Sequence, residues 1–474
     1  MKRLLFPLFC AVTSCMMGVL APTHRTTYSL RQFDTGIGFV SSLWHQHTTT
    51  DIGNPHGLSI QVLPFASFSS GSAIGKQFGT GNSANLEVIS NRSQLHNGTT
   101  YFPYHALRHN PAGTDEEKAT ITLKPSYTLF GTTISLFQDG SEIAEGLSFQ
   151  LTIPLLHAEL TLTPAGGTTA MTDFFTGTYH KEHVQEALKS GVMGTDKEVL
   201  LGPITLHGTY NFIENAKSFA GITAGCSIAT LRQKEQTYLF DPHSLTNGSN
   251  KIIFGIHAGK CVAHTDTTSG EIHIALRYFH LLPKKEFRIL GVQECDGSLP
   301  IFSSFLLGGK AGENVLFPLA NVLQREVQLH RSHQVEASVM GALTYQTSWV
   351  FNGGYGCFAR QEEQVSISAP WEENSYAFVN PAHDTTTAFS AIKDNSGTSH
   401  LASTDRRYIT ADMLDTATAQ SPAQIGINAF VSAGYDGRIG STPFLCGIGA
   451  SYEHGITSAT PSSCTVWAKI GVSF

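Results

Sequence analysis

The chain has 474 residues, of which 14% are charged, with a formal net charge of −7 and a pI near 6.3. That balance excludes the basic footprint of a nucleic-acid binder, and a mean hydropathy of −0.05 excludes a bundle of membrane-spanning helices. What remains is a soluble all-β protein or a barrel that hides its apolar face in alternation, for which this length is ordinary as one domain.

The first segment reads as an address. Met1-Lys2-Arg3 is basic, and Leu4 to Leu20 is apolar apart from Thr13 and Ser14, the layout of a secretory signal. Residues 1–21 are expected to be a signal peptide and 22–474 a single domain. Val12-Thr13-Ser14-Cys15 has the form of a lipobox, so lipidation at Cys15 is the alternative to ordinary cleavage. Ordinary cleavage ranks first because the apolar run continues through Leu20.

Beyond it, strand patterns follow one another. Weaker candidates lie at 35–44, 57–68, 119–138, 155–163, 251–263 and 300–309. Clear alternation begins with Leu147, Phe149, Leu151 and Ile153 against Ser148, Gln150 and Thr152. It returns in Ile204 to Phe212 and Ile222 to Ile228, then in Ile272 to Tyr278, where His273, Ala275 and Arg277 form the other face. Val335 to Tyr345 and Trp349 to Cys357 read as a hairpin joined at Thr347 and Ser348. Ile425 to Tyr435 and Phe444 to Glu453 repeat the rule. Residues 180–193 break it, with Val184, Ala187 and Leu188 at the spacing of a short amphipathic helix. The stretches 69–118 and 376–424 are long polar insertions.

The last pattern is the most regular. Cys464, Val466, Ala468, Ile470, Val472 and Phe474 make one face, and Thr465, Trp467, Lys469, Gly471 and Ser473 the other. Period two means a strand with one apolar side, long enough when tilted to cross a bilayer. Alternation does not say whether the apolar side faces inward, as in a soluble barrel or sandwich, or outward to lipid. The aromatics Tyr435, Tyr452 and Phe474 at the ends of apolar rows favour lipid, since such residues form girdles at membrane interfaces.

An amphipathic C-terminal strand ending in Phe resembles the assembly signal of bacterial outer-membrane β-barrels. It departs from the commonest form in having Val472 two positions before the end. The resemblance, porin-like and at superfamily level, implies an all-β fold, a transmembrane antiparallel up-and-down β-barrel. Such a fold has long extracellular loops and short periplasmic turns; the patterns amount to about fourteen strands, in a range of roughly 12–16. It implies the outer membrane of a Gram-negative-type bacterium, and as partners membrane lipids and the outer-membrane assembly machinery, engaged through the strand ending at Phe474. With the C-terminus periplasmic, 454–463 and 376–424 face outward and Asp436 to Thr442 is a periplasmic turn.

The faces opposite the apolar rows then line a lumen. They carry Thr, Ser, Asn, Gln and Gly with isolated charges, among them Lys469, Glu453, Arg277, Asp436, Glu336 and Arg360. Lys469, Glu453 and Arg277 are the lumen-lining candidates. The expected function is passive diffusion of small hydrophilic solutes, with charged lumen groups tuning ion preference. A surface adhesin or display barrel with a closed lumen is the alternative, and an oligomer stays open. A barrel hydrolase ranks third; its nearest candidates are His383 beside Asp384 and His454 beside Glu453.

Signs of other chemistry are weak. No G-x-S-x-G elbow occurs, and Ser70 to Gln77 lacks the first Gly and the final Ser or Thr of a phosphate loop. The eight cysteines include no CxxC pair; Cys446 and Cys464 fall on neighbouring patterns, where free lipid-facing thiols rank ahead of a disulfide. His45 and His47 with Asp51 and His56, His180 with His183, and His330 with His333 lack strong metal spacing. No catalytic residue, cofactor or metal is therefore expected.

Overall fold

The computed structural model describes residues 57–69, 85–89, 101–103, 118–165, 195–230, 249–292, 307–310, 316–379 and 406–474, less the single positions 216, 331, 347, 374, 458, 459 and 461. The expected signal segment, the strand at 35–44, the helix at 180–193, the phosphate-loop-like segment and the pair His383 and Asp384 lie outside these.

Twelve strands close into a barrel. In chain order they are β1 (Leu58–Ser69), β2 (Lys118–Asp139), β3 (Leu147–Ala165), β4 (Ile204–Asn215), β5 (Ser218–Ile228), β6 (Lys251–His264), β7 (Thr268–Leu281), β8 (Ser332–Tyr345), β9 (Trp349–Arg360), β10 (Gln424–Ile439), β11 (Thr442–Gly455) and β12 (Ser463–Ser473). Each pairs antiparallel with its neighbours in sequence, and β1 closes the ring on β12 with Ser59 opposite Ser473 and Ser67 opposite Thr465. Closure leaves no sheet edge within the wall.

The expected count of about fourteen is corrected to twelve. The segment 155–163 is the continuation of 147–153: β3 runs through Pro154, which sits opposite Thr133, and the outward row continues into Leu155. Near 300–309, Leu307–Lys310 is a strand outside the barrel, paired with Leu316–Pro318 and Tyr376–Val379. The candidates at 57–68, 119–138 and 251–263 are full barrel strands.

Which way the apolar rows point is settled by closure. Ile448, Val431, Ile470, Ile256 and Phe254 are exposed on the outside. Their sequence neighbours on the inward rows, such as Ser67, Ser135, Gln61, Asn352, Thr465 and Ser473, are buried. The molecule is thus inverted relative to a soluble barrel. Aromatic side chains border this exterior: Trp349 packs edge-on to Tyr435 with centroids 5.3 Å apart, Tyr435 lies 6.2 Å from Phe444, and Phe68 meets Phe130 at 5.8 Å. Amphipathic rings at that position match an interfacial girdle. No helix among the described residues is long and apolar enough to cross a membrane.

The two ends of the barrel differ. At one end the connections are 140–146, 216–217, 265–267, 346–348 and 440–441, a few residues each. Gly440 takes a left-handed φ of 66° in its turn, a conformation glycine adopts without steric cost. At the other end, 70–117, 166–203, 229–250, 282–331 and 361–423 are long, and only 456–462 is short. There β2 and β3 extend past the ring and add Asn85–Ile89 and Thr195–Leu201 as partners. The hairpin of β7 and β8 also continues, as Lys284–Ile289 paired with Gln324–Leu329, to which Val365–Ile367 adds.

Candidate functional site: the lumen and its two mouths

Alternation sends one residue in two of each strand into the barrel, so the lumen is specified by twelve inward rows. Their chemistry divides into two arcs. On β9 to β12, β1 and β2, large apolar groups point inward and are buried: Phe358, Phe430, Leu445, Trp467, Leu63, Phe65 and Leu129. Trp467 lies across Gly449, where an added Cβ would stand 2.5 Å from the indole. Beside the Thr, Ser, Asn, Gln and Gly expected from the sequence, this arc therefore holds large apolar groups. The barrel needs bulk there to fill space that twelve strands enclose.

The facing arc, β4 to β7, carries hydrogen-bonding groups over most of its length, with an apolar cluster of Ile253, Phe279 and Leu281 toward the long-connection end. Thr209 Oγ1 is 3.1 Å from Thr223 Oγ1, Thr205 Oγ1 donates to Ser227 Oγ at 3.0 Å, and His257 Nε2 donates to Asn211 Oδ1 at 2.9 Å. Inward glycines make room for these groups. A Cβ at Gly225 would lie 2.5 Å from that of His207, and one at Gly221 would lie 2.8 Å from the His257 ring. His207 and Asn211 stand on the polar face already visible in the sequence, but the glycines opposite them were the missed signal: a small residue on an inward row marks space reserved for a large neighbour.

The sequence-derived candidates occupy inward rows on three strands. Lys469, on β12, is buried between Gly447 of β11 and the β1 wall. Arg277, on β7, lies opposite Glu336 of β8 and Gly255 of β6, and Glu336 in turn accepts from Gln334 Nε2 at 2.6 Å. Glu453, on β11, lies opposite Asn428 and Ser463 toward the long-connection end. The structure does not gather them into one cluster: Arg277 is near the long-connection end of its strand and Lys469 near the other. Glu453 and His454 are on opposite faces of β11, with His454 Nδ1 3.4 Å from Ser462 Oγ, so this pair does not converge. His330 bonds Ser366 at 2.8 Å and His333 bonds Tyr278 at 2.6 Å, on separate partners. The described residues hold no group of three or more metal-ligating side chains. Cys464 lies opposite Tyr452 and Cys446 opposite Ile470, and both thiols are free.

At the long-connection mouth, a buried ionic network ties the strand extensions together. Arg288 bonds both Glu286 and Glu363, with Arg288 Nη1 2.7 Å from Glu363 Oε2. Arg360, from the inward row of β9, joins Glu363, and Lys284 Nζ is 2.7 Å from Glu286 Oε2. Arg288 also donates to the Ala419 carbonyl, and the Ser421 amide donates to Glu363. Burial pushes the Glu363 carboxyl up, but the Arg288 and Arg360 guanidiniums more than offset it and hold it below the usual carboxylate range. Burial lowers the Lys284 ammonium, against the opposing pull of Glu286. Around the network pack Leu290, Leu319, Leu323, Val327, Ile409 and Ala419, all fully buried. Trp371 Nε1 donates to the Ile409 carbonyl at 2.7 Å. The described residues of 282–292, 316–330, 361–379 and 406–423 thus pack together as a cap at this end.

A cavity of about 820 Å³ lies at the short-turn mouth, lined by Asn211, Ser218, Phe219, Gly259, Glu271 and His273 from the wall and by Asp139, Glu145, Glu214 and Lys217 at the rim. It continues the polar arc, since Asn211 and Phe219 belong to the same inward rows as Thr209 and Thr223.

No family model and no curated protein matches the sequence. Among solved structures, the chain is similar to an outer membrane channel from Pseudomonas putida F1, with a TM-score of 0.39 and 10% identity over 88% of this chain and 96% of that one. It is similar also to the transport unit of the autotransporter AIDA-I from Escherichia coli, with a TM-score of 0.34 and 10% identity over 92% and 97%. A Pseudomonas aeruginosa FadL homologue aligns with a TM-score of 0.26 and 8% identity over 88% and 92%.

Proposed function

We propose that the chain is an outer-membrane channel that passes small hydrophilic solutes by diffusion along the polar arc of its lumen. The observation that carries this reading is the inversion of the barrel: apolar rows face out, and hydrogen-bonding rows on β4 to β7 lead into a cavity at one mouth. An apolar exterior is stable only against lipid, and a polar interior arc with reserved space is useful only if something hydrated occupies it. Short turns lie on the periplasmic side in barrels of this kind and long connections outside, which supports a reading with the cap outside and the cavity inside. Lys469, Arg277 and Glu453 are lining groups in this reading, and no side chain is assigned a catalytic role.

Planar-bilayer recording with the purified full-length protein tests it. Discrete channel events are expected, with small conductance because the apolar arc and the cap narrow the path. A reconstituted, heat-modifiable protein that gives no events would refute the channel. The surface-display alternative is favoured by one observation, the ordered cap over the outer mouth, and silence in the bilayer is the result it expects.

A further inference from the structure

The inner mouth carries charge of one dominant sign beside a buried, incompletely bonded histidine. Glu271 and His273 alternate into the lumen from β7, with His273 Nε2 3.0 Å from Glu271 Oε2. His273 is 2% exposed; its Nε2 faces the Glu271 carboxylate and its Nδ1 makes no hydrogen bond. The ring is set by packing: Phe219 lies 5.3 Å away between centroids, and Gly259 leaves the space, since a Cβ there would meet Phe219 at 2.2 Å and His273 Nδ1 at 3.0 Å. At the rim, Glu214 accepts from Asn211 Nδ2 at 3.1 Å, which links it through Asn211 to His257 inside. Asp139 accepts from the Ser141 amide and hydroxyl at 3.0 and 2.9 Å. Glu145 adds a fourth carboxylate to the lining, against Lys217 in a turn and Lys260, which is on the exposed row of β6.

We propose that this mouth is a cation-selecting vestibule in which Glu271, positioned beside His273, is the specificity-determining side chain; this rests on the channel reading above. Carboxylates around a partly enclosed cavity concentrate cations more than the same charges on an open surface, because low-dielectric walls focus the field. Rings of acidic side chains act on permeation in this way. Among the carboxylates lining this cavity, Glu271 is the one carried on the inward row of the wall, and the buried His273 ring lies beside it. Small monovalent cations are the class selected.

The test is the reversal potential of single channels in a potassium chloride gradient. The intact protein should favour potassium over chloride. E271Q should lower the permeability ratio by roughly twofold or more, the effect of one charge a few ångströms from a permeating ion in water. E271D should retain most of the preference, and E271K should invert it. Channel events without cation preference, or a preference unchanged in E271Q, would overturn the inference while leaving the channel standing. The absence of any events would instead overturn the channel, and the inference with it. If E271Q fails to show heat-modifiable migration, E214Q on the exposed rim takes its place; a smaller shift in the same direction supports the vestibule and no shift overturns it.

Discussion

The two mouths of the barrel use the same side chains to opposite ends. At the capped mouth, Glu286 and Glu363 are buried and bonded by Arg288 and Arg360. At the short-turn mouth, Glu214 and Asp139 accept from neutral partners at the exposed rim. The difference is desolvation. A buried carboxylate persists as an ion only with a cation and donors around it, so the cap is rigid and specific. An exposed carboxylate keeps its water and its field reaches whatever enters. One set of charges holds structure together; the other stays solvated at the rim.

The contrast is most sharply broken by Glu363→Ala. It removes one of the two carboxylates that bond Arg288 and the carboxylate that bonds Arg360, and breaking a buried pair in this way typically costs about 3–5 kcal/mol. Amide hydrogen exchange should accelerate across 284–292 and 409–421, while the barrel strands β10 to β12 keep their protection. Channel conductance should rise as the cap loosens. Equal protection in the variant would show that the network is not what orders the cap.

Acidification should give a graded form of the same loss. The folded Glu363 carboxyl titrates below its unfolded value, so its contribution is fully present above the ordinary carboxylate pKa of about 4.3. It is lost as pH falls through the depressed folded value. Limited proteolysis should therefore find the cap resistant at neutral pH and increasingly cut in 361–423 at strongly acidic pH, with the short turns unchanged. Cap cleavage that does not change with pH would contradict this assignment.

Glu214→Ala should do least. At an exposed strand end, with one neutral donor, its cost is expected to lie within about 0.5 kcal/mol, and heat-modifiable migration should be indistinguishable from that of the unmodified protein. A loss of stability comparable to Glu363→Ala would erase the distinction between the mouths.

Much of the wall was legible in the sequence, because strand alternation is local. The rows ending at Tyr435, Tyr452 and Val472, and the hairpin from Val335 to Cys357, lie in register as their patterns imply. The count of twelve lies at the lower edge of the expected range, below its centre of about fourteen, because local signals mislead in two places. Pro154 passes through β3 without ending it, and Leu307–Lys310 has strand character but pairs with other connections instead of the ring. The cap was invisible for a different reason. Arg288 and Glu363, or Gly291 and Thr418, are far apart in sequence and carry no periodic mark. The apolar arc was partly masked too: Trp467, Phe430 and Leu445 sit in rows otherwise composed of small or polar residues, where a single large side chain reads as an exception.

By itself, the sequence determined which residues share a face, since successive side chains of an extended chain must point to opposite sides. It determined also that one end of the structure would be short-turned and the other elaborate, because connection lengths follow from where alternation stops and resumes. Only the tertiary structure decided that the apolar faces point outward, that twelve strands suffice, and that large apolar side chains share the interior with polar ones on β9 to β12, β1 and β2. Those depend on β1 meeting β12 across the length of the chain. The direction in which a sheet curls and the point at which it closes are properties of all its pairings together, and no window of sequence contains them.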